Sequence, residues 1–472
     1  MTKSDFIKVC SERKFWRVIT HDSLINYPKI GDKTGFLKAL YKKIEKRTYY
    51  PSPPQEYITL NKGHGVLRII PAFQIEDLCV YYYCAVKLEK YIAINRTIGT
   101  YGGFGISGKL KKIEEEEFEK IMDGFEVVEV DGKKYVFGGL FGYKVSTLNP
   151  KAWFAEWGDF NKKLYFNAHE YNDGFVADLD ISNFYDSVQL DNLEYKVRKQ
   201  VSHKCNDEVY LLMHFLRFWN RHVNFYRQQG AGIPQDNFGE CSRILANFYL
   251  QNFDKNISEF CENRGAKYFR YADDQVIFAK TKKDLEEIIT RASSQLAREG
   301  LNFNQKKIKI MTVREFKKNY AFSNFLALTQ EKGVPITVLT VEKQITLYFK
   351  NKHNMRKGGF SLLRRILNVV LKMGKKPANF TLFKKYLLSD DFMLGNYLLE
   401  TSDLQKILSI LDKREKTKMF KIIENNIGNC LYSVYLYNVR NFYKLNHRST
   451  KAINSRILYL KRYYGFEKGK IK

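Results

Sequence analysis

Tyr268-Phe269-Arg270-Tyr271-Ala272-Asp273-Asp274-Gln275-Val276-Ile277-Phe278 is the stretch that decides the fold. Aromatic and β-branched residues on both sides favour extended chain, and two acids interrupt them. The layout is that of a tight hairpin whose strands meet at Ala272-Asp273-Asp274. Ionised carboxylates flanked by apolar residues are costly to hold close together unless something cationic neutralises them. A second acidic strand lies upstream. Phe175-Val176-Ala177-Asp178-Leu179-Asp180-Ile181 reads as β, and its period of two puts Asp178 and Asp180 on one face. Ser182-Asn183-Phe184-Tyr185-Asp186 then reads as the turn into a helix. A pair of Mg²⁺ ions answers the charge problem, because Mg²⁺ takes carboxylate and phosphate oxygens and keeps part of its water. Two such ions about 4 Å apart clamp the attacking and leaving oxygens of a phosphoryl transfer. Taken alone, each acidic segment reads equally well as turn and cap residues.

Other segments shift that balance. Gly230-Ala231-Gly232-Ile233-Pro234-Gln235 leads, after a short irregular stretch, into the apolar helix-like run Ser242 to Leu250. A Gly-Pro turn that delivers a polar Gln suits a surface touching a base pair, although an ordinary loop and helix start reads the same way. Leu60 to Pro71 forms a Gly-turned hairpin with Lys62 and Arg68 on its two arms. Two cations so placed can converge on a triphosphate, Arg in bidentate fashion and Lys as a point charge.

In order, these pieces resemble the conserved blocks of reverse transcriptases. Lys62, Gly65 and Arg68 match the Lys-x-x-Gly-x-x-Arg fingers block of bacterial members. Asp180 to Val188 is similar to the first palm block, and Gly232-Ile233-Pro234-Gln235 with Ser242 to Leu250 is similar to the second. Tyr271-Ala272-Asp273-Asp274 matches the palm hairpin, and Gly300 to Lys307 resembles the block that follows. The resemblance implies an α+β right-hand polymerase fold, with fingers, an antiparallel palm sheet and an all-α basic thumb. It implies that Asp180, Asp273 and Asp274 are catalytic and hold two Mg²⁺ ions, with Mn²⁺ as a substitute. Lys62 and Arg68 touch the incoming dNTP in that family. Tyr185 falls at the sugar gate, where a bulky ring excludes the 2′-hydroxyl, and Gln235 and Lys307 support the template–nucleotide pair and the leaving pyrophosphate. This sequence departs from the family in having Pro234-Gln235-Asp236 for Pro-Gln-Gly, and Ile308 where Thr is common.

The wording Ser242-Arg243-Ile244-Leu245-Ala246 and the helical tail most resemble abortive-infection and other phage-defence reverse transcriptases. That subgroup implies antiviral defence with a dedicated noncoding RNA template and a DNA product. Some of its members prime from a protein hydroxyl, which the tyrosines at 432, 435, 437, 443, 459, 463 and 464 could supply. Retron or group II intron-type enzymes are the nearer alternative, and a nucleic-acid-binding scaffold without polymerase activity is the different-class rival.

The sequence divides into three parts. Residues 1–48 read as a helical segment, 49–345 as fingers and palm with an insertion at about 97–165, and 346–472 as a basic helical domain. The 472 residues carry a net charge of +28. Residues 351–472 hold 26 Lys and Arg against 8 Asp and Glu, an excess of 18. Such an imbalance points to a polyanion, and 32 Tyr with 35 Phe favour nucleic acid over lipid. The longest near-apolar run, Leu78 to Val86, is far below the roughly 20 residues a spanning helix needs. The opening Met1-Thr2-Lys3-Ser4-Asp5 is no signal segment, and seven scattered Cys without a Cys-x-x-Cys pair read as reduced thiols. Both point to a cytoplasmic protein without a membrane partner, with homo-oligomerisation left open.

Two decoys drop out. Gly103-Phe104-Gly105-Ile106-Ser107-Gly108 spells a dinucleotide fingerprint, but no apolar βαβ unit surrounds it, and Leu110 stands where a P-loop needs Ser or Thr. A flexible basic loop near nucleic acid is the expectation there. Asp178-Leu179-Asp180 as a glycosyltransferase metal motif leaves the Tyr271 hairpin unexplained.

Overall fold

The computed structural model describes residues 1–17, 19, 25–61, 67–93, 96–103, 106, 127–130, 133–136, 153–201, 203–219, 230–235, 240–328, 336–352, 359–395 and 399–464. Nine strands are described: β1 Glu56–Asn61, β2 Leu67–Ala72, β3 Thr100–Tyr101, β4 Val127–Val130, β5 Lys133–Val136, β6 Phe175–Asp180, β7 Lys267–Tyr271, β8 Asp274–Ala279 and β9 Lys309–Thr312. β1–β2 and β4–β5 are two-stranded antiparallel hairpins. The other five form one sheet in the order β3-β7-β8-β6-β9.

The chain divides into two compact units. The first holds residues 1–54, 73–125 and 143–317 and carries the five-stranded sheet. β6, β7, β8 and β9 pair antiparallel, as expected of a palm. β3 corrects that expectation, because it joins the edge parallel to β7 and makes the sheet mixed. Its residues belong to the stretch read from sequence as an insertion, so part of that stretch completes the palm. β6 lies inside the sheet, and Val176, Ala177 and Leu179 are fully buried.

The helix Ile75–Ile92 is apolar on nearly every side, which calls for burial all round. Leu78, Val80, Leu88 and Ile92 are all in the core, each contributing about 1.5–3 kcal/mol of transfer free energy. Glu76 and Asp77 in its first turn complement the positive end of the helix. Tyr81 stacks on Phe215 of the helix Asn206–Phe218 at 4.8 Å between centroids, which joins two layers of that core.

The second unit holds residues 55–72, 126–142 and 318–472. From Phe322 to Tyr463 its described elements are all helices, as read from the sequence. The hairpin β1–β2 belongs to this unit. Thr59 of β1 accepts from Ser433 N at 3.0 Å through its hydroxyl, and its own N–H donates to Ser433 Oγ at 2.6 Å. Lys461 pairs with Glu56 at 2.8 Å. The sequence boundaries at 48/49 and 345/346 therefore differ from the packing: residues 1–48 are part of the palm unit, and the fingers hairpin shares a unit with the tail. The charged run Lys109 to Met122 lies outside the described residues. No helix among the described residues is long and apolar enough to cross a membrane.

Candidate active site

The pleat of the sheet decides which side chains meet. Asp180, the last residue of β6, lies directly opposite Asp274, the first residue of β8, and Tyr271 of β7 is opposite Asp274 on its other side. Asp273 occupies the two-residue turn with Ala272, whose φ of 53° is in the left-handed region. The Asp273 carbonyl accepts from Ile181 N at 3.3 Å, which ties the turn to the residue after Asp180. Three carboxylates read from two separate sequence blocks are thus carried at one end of the sheet. Asp178 shares the Asp180 face two residues away and is buried.

The late block is tied to the same corner. Asn304 N donates to the Asp180 carbonyl at 2.8 Å, Ser182 N to the Asn302 carbonyl at 2.8 Å, and Ile181 bridges Phe303. A single turn of 3₁₀ helix, Gln305–Lys307, follows and aims Lys307 at Asp180, with Nζ 2.9 Å from Oδ1. An ammonium thus stands against this carboxylate.

Tyr185 stands on the short helix Phe184–Ser187, half-buried, with the Phe184 ring 5.4 Å away. Its carbonyl accepts from Ile233 N at 2.9 Å, and Gly232 N donates to the Val188 carbonyl at 2.8 Å. Gly232 has φ of 100°, so the turn that presents Gln235 is one that glycine adopts without strain. Pro234 O accepts from the Ser242 hydroxyl, which also meets Tyr81 Oη at 2.7 Å. These bonds hold the Gln235 block beside the Tyr185 block. Arg68 is on β2, opposite Leu60, in the second unit, and its buried Nε has no hydrogen-bond partner among the described residues. Lys62 and Gly65 lie outside the described residues.

Sequence reasoning missed what surrounds the hairpin. Arg270, inside the quoted stretch, is fully buried. Its Nε and Nη2 donate to the two oxygens of Asp254 at 2.7 and 2.5 Å, and its Nη1 donates to Asn247 Oδ1 and to the Ala272 carbonyl, both at 2.8 Å. Tyr268 Oη also donates to Asp254, and burial pushes that hydroxyl well above its ordinary pKa. Tyr271 is packed by Trp157 and Phe160, at 4.9 and 5.7 Å between centroids. The Gly103 segment corrects the expectation of a flexible loop at its described residues. Gly103 has φ of 80°, and a Cβ there would stand 2.3 Å from the Arg243 side chain. Gly102 bonds Glu156 through its N–H and Asn247 through its carbonyl, and Ile106 N donates to Glu89 at 2.6 Å. These glycines seat the edge strand against the palm.

The oxygen donors of Asp180, Asp273 and Asp274 are hard ligands that suit Mg²⁺ or Mn²⁺. As their side chains stand, no group of three or more His, Cys, Asp or Glu among the described residues is gathered to hold a metal ion. The carboxylates share one corner of the sheet, and Asp180 pairs there with Lys307.

A mixed sheet whose antiparallel strands end in a cross-strand acid pair and an acidic turn defines the palm of a right-hand polymerase. Residues 141–344, less than half of the chain, match the family model described as Reverse transcriptase (RNA-dependent DNA polymerase), and this stretch is a reverse transcriptase domain. The chain is also similar to the Retron Ec83 reverse transcriptase of Escherichia coli, at 29% identity over 116 residues that make up 24% of this chain and 34% of that protein. It thus spans about a third of the length of that curated relative. Two telomerase structures from Candida tropicalis, one apo and one with a fragment of telomeric RNA, are similar at TM-scores of 0.33 and 0.32 and identities of 10% and 12%. They cover 90% of this chain and 74% and 68% of their own.

Proposed function

We propose that the chain is an RNA-directed DNA polymerase that adds dNTPs to a primer hydroxyl on an RNA template. The observation that carries this reading is the direct cross-strand pairing of Asp180 with Asp274, with Asp273 in the adjoining turn. Asp180, Asp273 and Asp274 are the residues to hold two Mg²⁺ ions, and Mn²⁺ suits the same oxygens. When bound, the ions supply charge neutralisation at the attacking and leaving oxygens. The protein's own part is to bind and orient. Tyr185 walls the sugar side of the nucleotide, Gln235 supports the templating pair, and Lys62 and Arg68 take the triphosphate. Lys307, on a mobile four-carbon stem, exchanges Asp180 for the pyrophosphate oxygens. Positioning and electrostatics then lower the barrier.

The basic helical tail is assigned to gripping nucleic acid through phosphates. The finer reading is a role in antiviral defence with a dedicated noncoding RNA, supported by the Ser242 to Ala246 wording and the all-helical tail. The stretch shared with the Ec83 protein favours a retron-type enzyme as the second reading.

The double variant Asp273→Ala with Asp274→Ala tests the reading in a primer-extension assay with Mg²⁺ and dNTPs. It should abolish incorporation while RNA affinity stays within about twofold. Incorporation at the wild-type rate in that variant would reject the polymerase assignment.

A further inference from the structure

The geometry points to Arg270 as the positioning residue that sets the catalytic turn, acting through a buried clamp with Asp254 and Asn247. This rests on the polymerase reading for its consequence, but not for its structural content.

The guanidinium touches the peptide that leads into Asp273. The Ala272 carbonyl belongs to the peptide unit that ends at Asp273 N, so pinning that oxygen fixes the plane that enters Asp273. The Asp273 carbonyl, pinned by Ile181 N, fixes the plane that leaves it. With both flanking peptides held, the Asp273 Cα has no soft dihedral left to move it. Ala272 is in a left-handed conformation that residues with a Cβ adopt at a cost of order 1 kcal/mol, so the turn needs such a hold.

The guanidinium is itself held on three sides. Asp254 takes Nε and Nη2 as a fork, and Asn247 shares Nη1 with the Ala272 carbonyl. Both partners project from the helix Glu240–Glu262, which carries the Ser242 to Leu250 block. The edge strand closes the frame: Gly99 O accepts from Arg270 N at 2.9 Å, and Asn247 Nδ2 donates to the Gly102 carbonyl. Arg96 braces that strand from outside, with Nε on the Thr100 carbonyl at 3.1 Å and Nη2 on Glu156 at 2.9 Å. A buried ion pair is a weak source of net stability, because desolvation offsets most of the attraction. Its value here is directional. Only a planar fork with donors on three nitrogens can hold a carboxylate, an amide and a turn carbonyl at once.

The test uses the full chain with Arg270→Lys, which keeps the charge and loses the fork, and Asn247→Ala, which leaves the buried ion pair in place. Hydrogen exchange is followed in peptides covering Ala272–Asp274 and in the flanking strands. Mn²⁺ binding by electron paramagnetic resonance and steady-state dNTP kinetics are measured alongside. The clamp predicts faster exchange confined to the turn, Mn²⁺ binding weakened at least about tenfold, and kcat reduced on the order of 10²-fold with little change in KM. Exchange as slow as wild type in both folded variants overturns the proposal. So does loss of protection across the whole sheet in Asn247→Ala, which marks the network as general scaffolding. If Arg270→Lys does not fold, Asn247→Ala alone decides. If the wild-type protein neither binds Mn²⁺ nor incorporates dNTPs, the polymerase reading fails, and the exchange comparison still decides the clamp.

Discussion

Lys307 Nζ donates to Asp180 Oδ1 at 2.9 Å, so the late lysine of the palm rests on the carboxylate of its first block. The lysine side chain is 60% exposed and the aspartate 12%. A pair with so much of one partner in water contributes no more than about 1 kcal/mol. It is therefore weak enough to exchange for a divalent ion and a phosphate. Lys307→Met should lower the melting temperature by a few degrees without divalent ions, because Asp180 is then buried without a counter-charge. Mg²⁺ should restore it, giving a larger Mg²⁺-induced shift than in wild type. Thermal denaturation with and without Mg²⁺ checks this, and equal shifts in the two proteins would remove the exchange role.

Tyr185 is placed by a contact that has nothing to do with its ring: its carbonyl accepts from Ile233 N, and so couples the short helix Phe184–Ser187 to the Gln235 turn. Truncating the side chain leaves that bond in place. Tyr185→Ala should therefore fold normally and raise rNTP incorporation relative to dNTP by roughly 10–200-fold, the range a missing steric contact gives. Competition primer extension reads the ratio, and unchanged discrimination would reject the sugar-gate role.

What the sequence made legible follows from which interactions are local. Asp180, Asp273 and Asp274 could be read because a strand period and a two-residue turn fix their faces within a few residues. The helix Ile75–Ile92 was legible because an apolar surface on every side has one stable outcome. Arg270 was not, since an arginine in a strand usually marks a solvent-facing position. Its partners Asp254 and Asn247 lie 16 and 23 residues upstream on a helix, with nothing in the spacing to pair them. Gly103 imitated the start of a phosphate loop because the same freedom of φ serves a close approach to Arg243. Order along the chain groups the fingers hairpin with the palm in one segment, 49–345, whereas Thr59 meets Ser433 across 374 residues.

Gln275 gives a stability prediction. It is the cross-strand partner of Arg270, fully buried, and among the described residues both polar atoms of its side chain lack a hydrogen-bond partner. Leaving a buried amide unpaired costs about 1–3 kcal/mol. Gln275→Leu, of similar volume, should raise stability by about 1–2 kcal/mol, read as a higher urea midpoint at constant slope. A lowered midpoint would mean that the amide bonds to a group in the working protein, and would count against the prediction.

The proposed grip of the tail on nucleic acid narrows to one helix. Of the seven tail tyrosines, Tyr432, Tyr435, Tyr437 and Tyr443 are buried, and Tyr464 donates to the Leu431 carbonyl at 3.2 Å. Tyr459 and Tyr463 are 50% and 65% exposed, nearly parallel at 20° with centroids 5.9 Å apart, and the Arg456 guanidinium lies 4.6 Å from the Tyr459 ring. The helix that carries them, Lys451–Tyr463, has no acidic residue. Removing the tail after Phe349 is a poor test, because it cuts the helix Val338–Asn351 and takes away the Ser433 that holds β1. Point variants avoid this. Base stacking is worth about 1–3 kcal/mol per base. Tyr459→Ala with Tyr463→Ala should therefore weaken single-stranded RNA binding by at least about tenfold at every salt concentration, leaving the salt slope unchanged. Lys451→Gln should instead flatten the slope of log K against log salt by about 0.7, the effect of one phosphate contact on a single strand. Binding titrations at several salt concentrations separate the two effects. Wild-type affinity in the tyrosine double variant would move the grip off this helix.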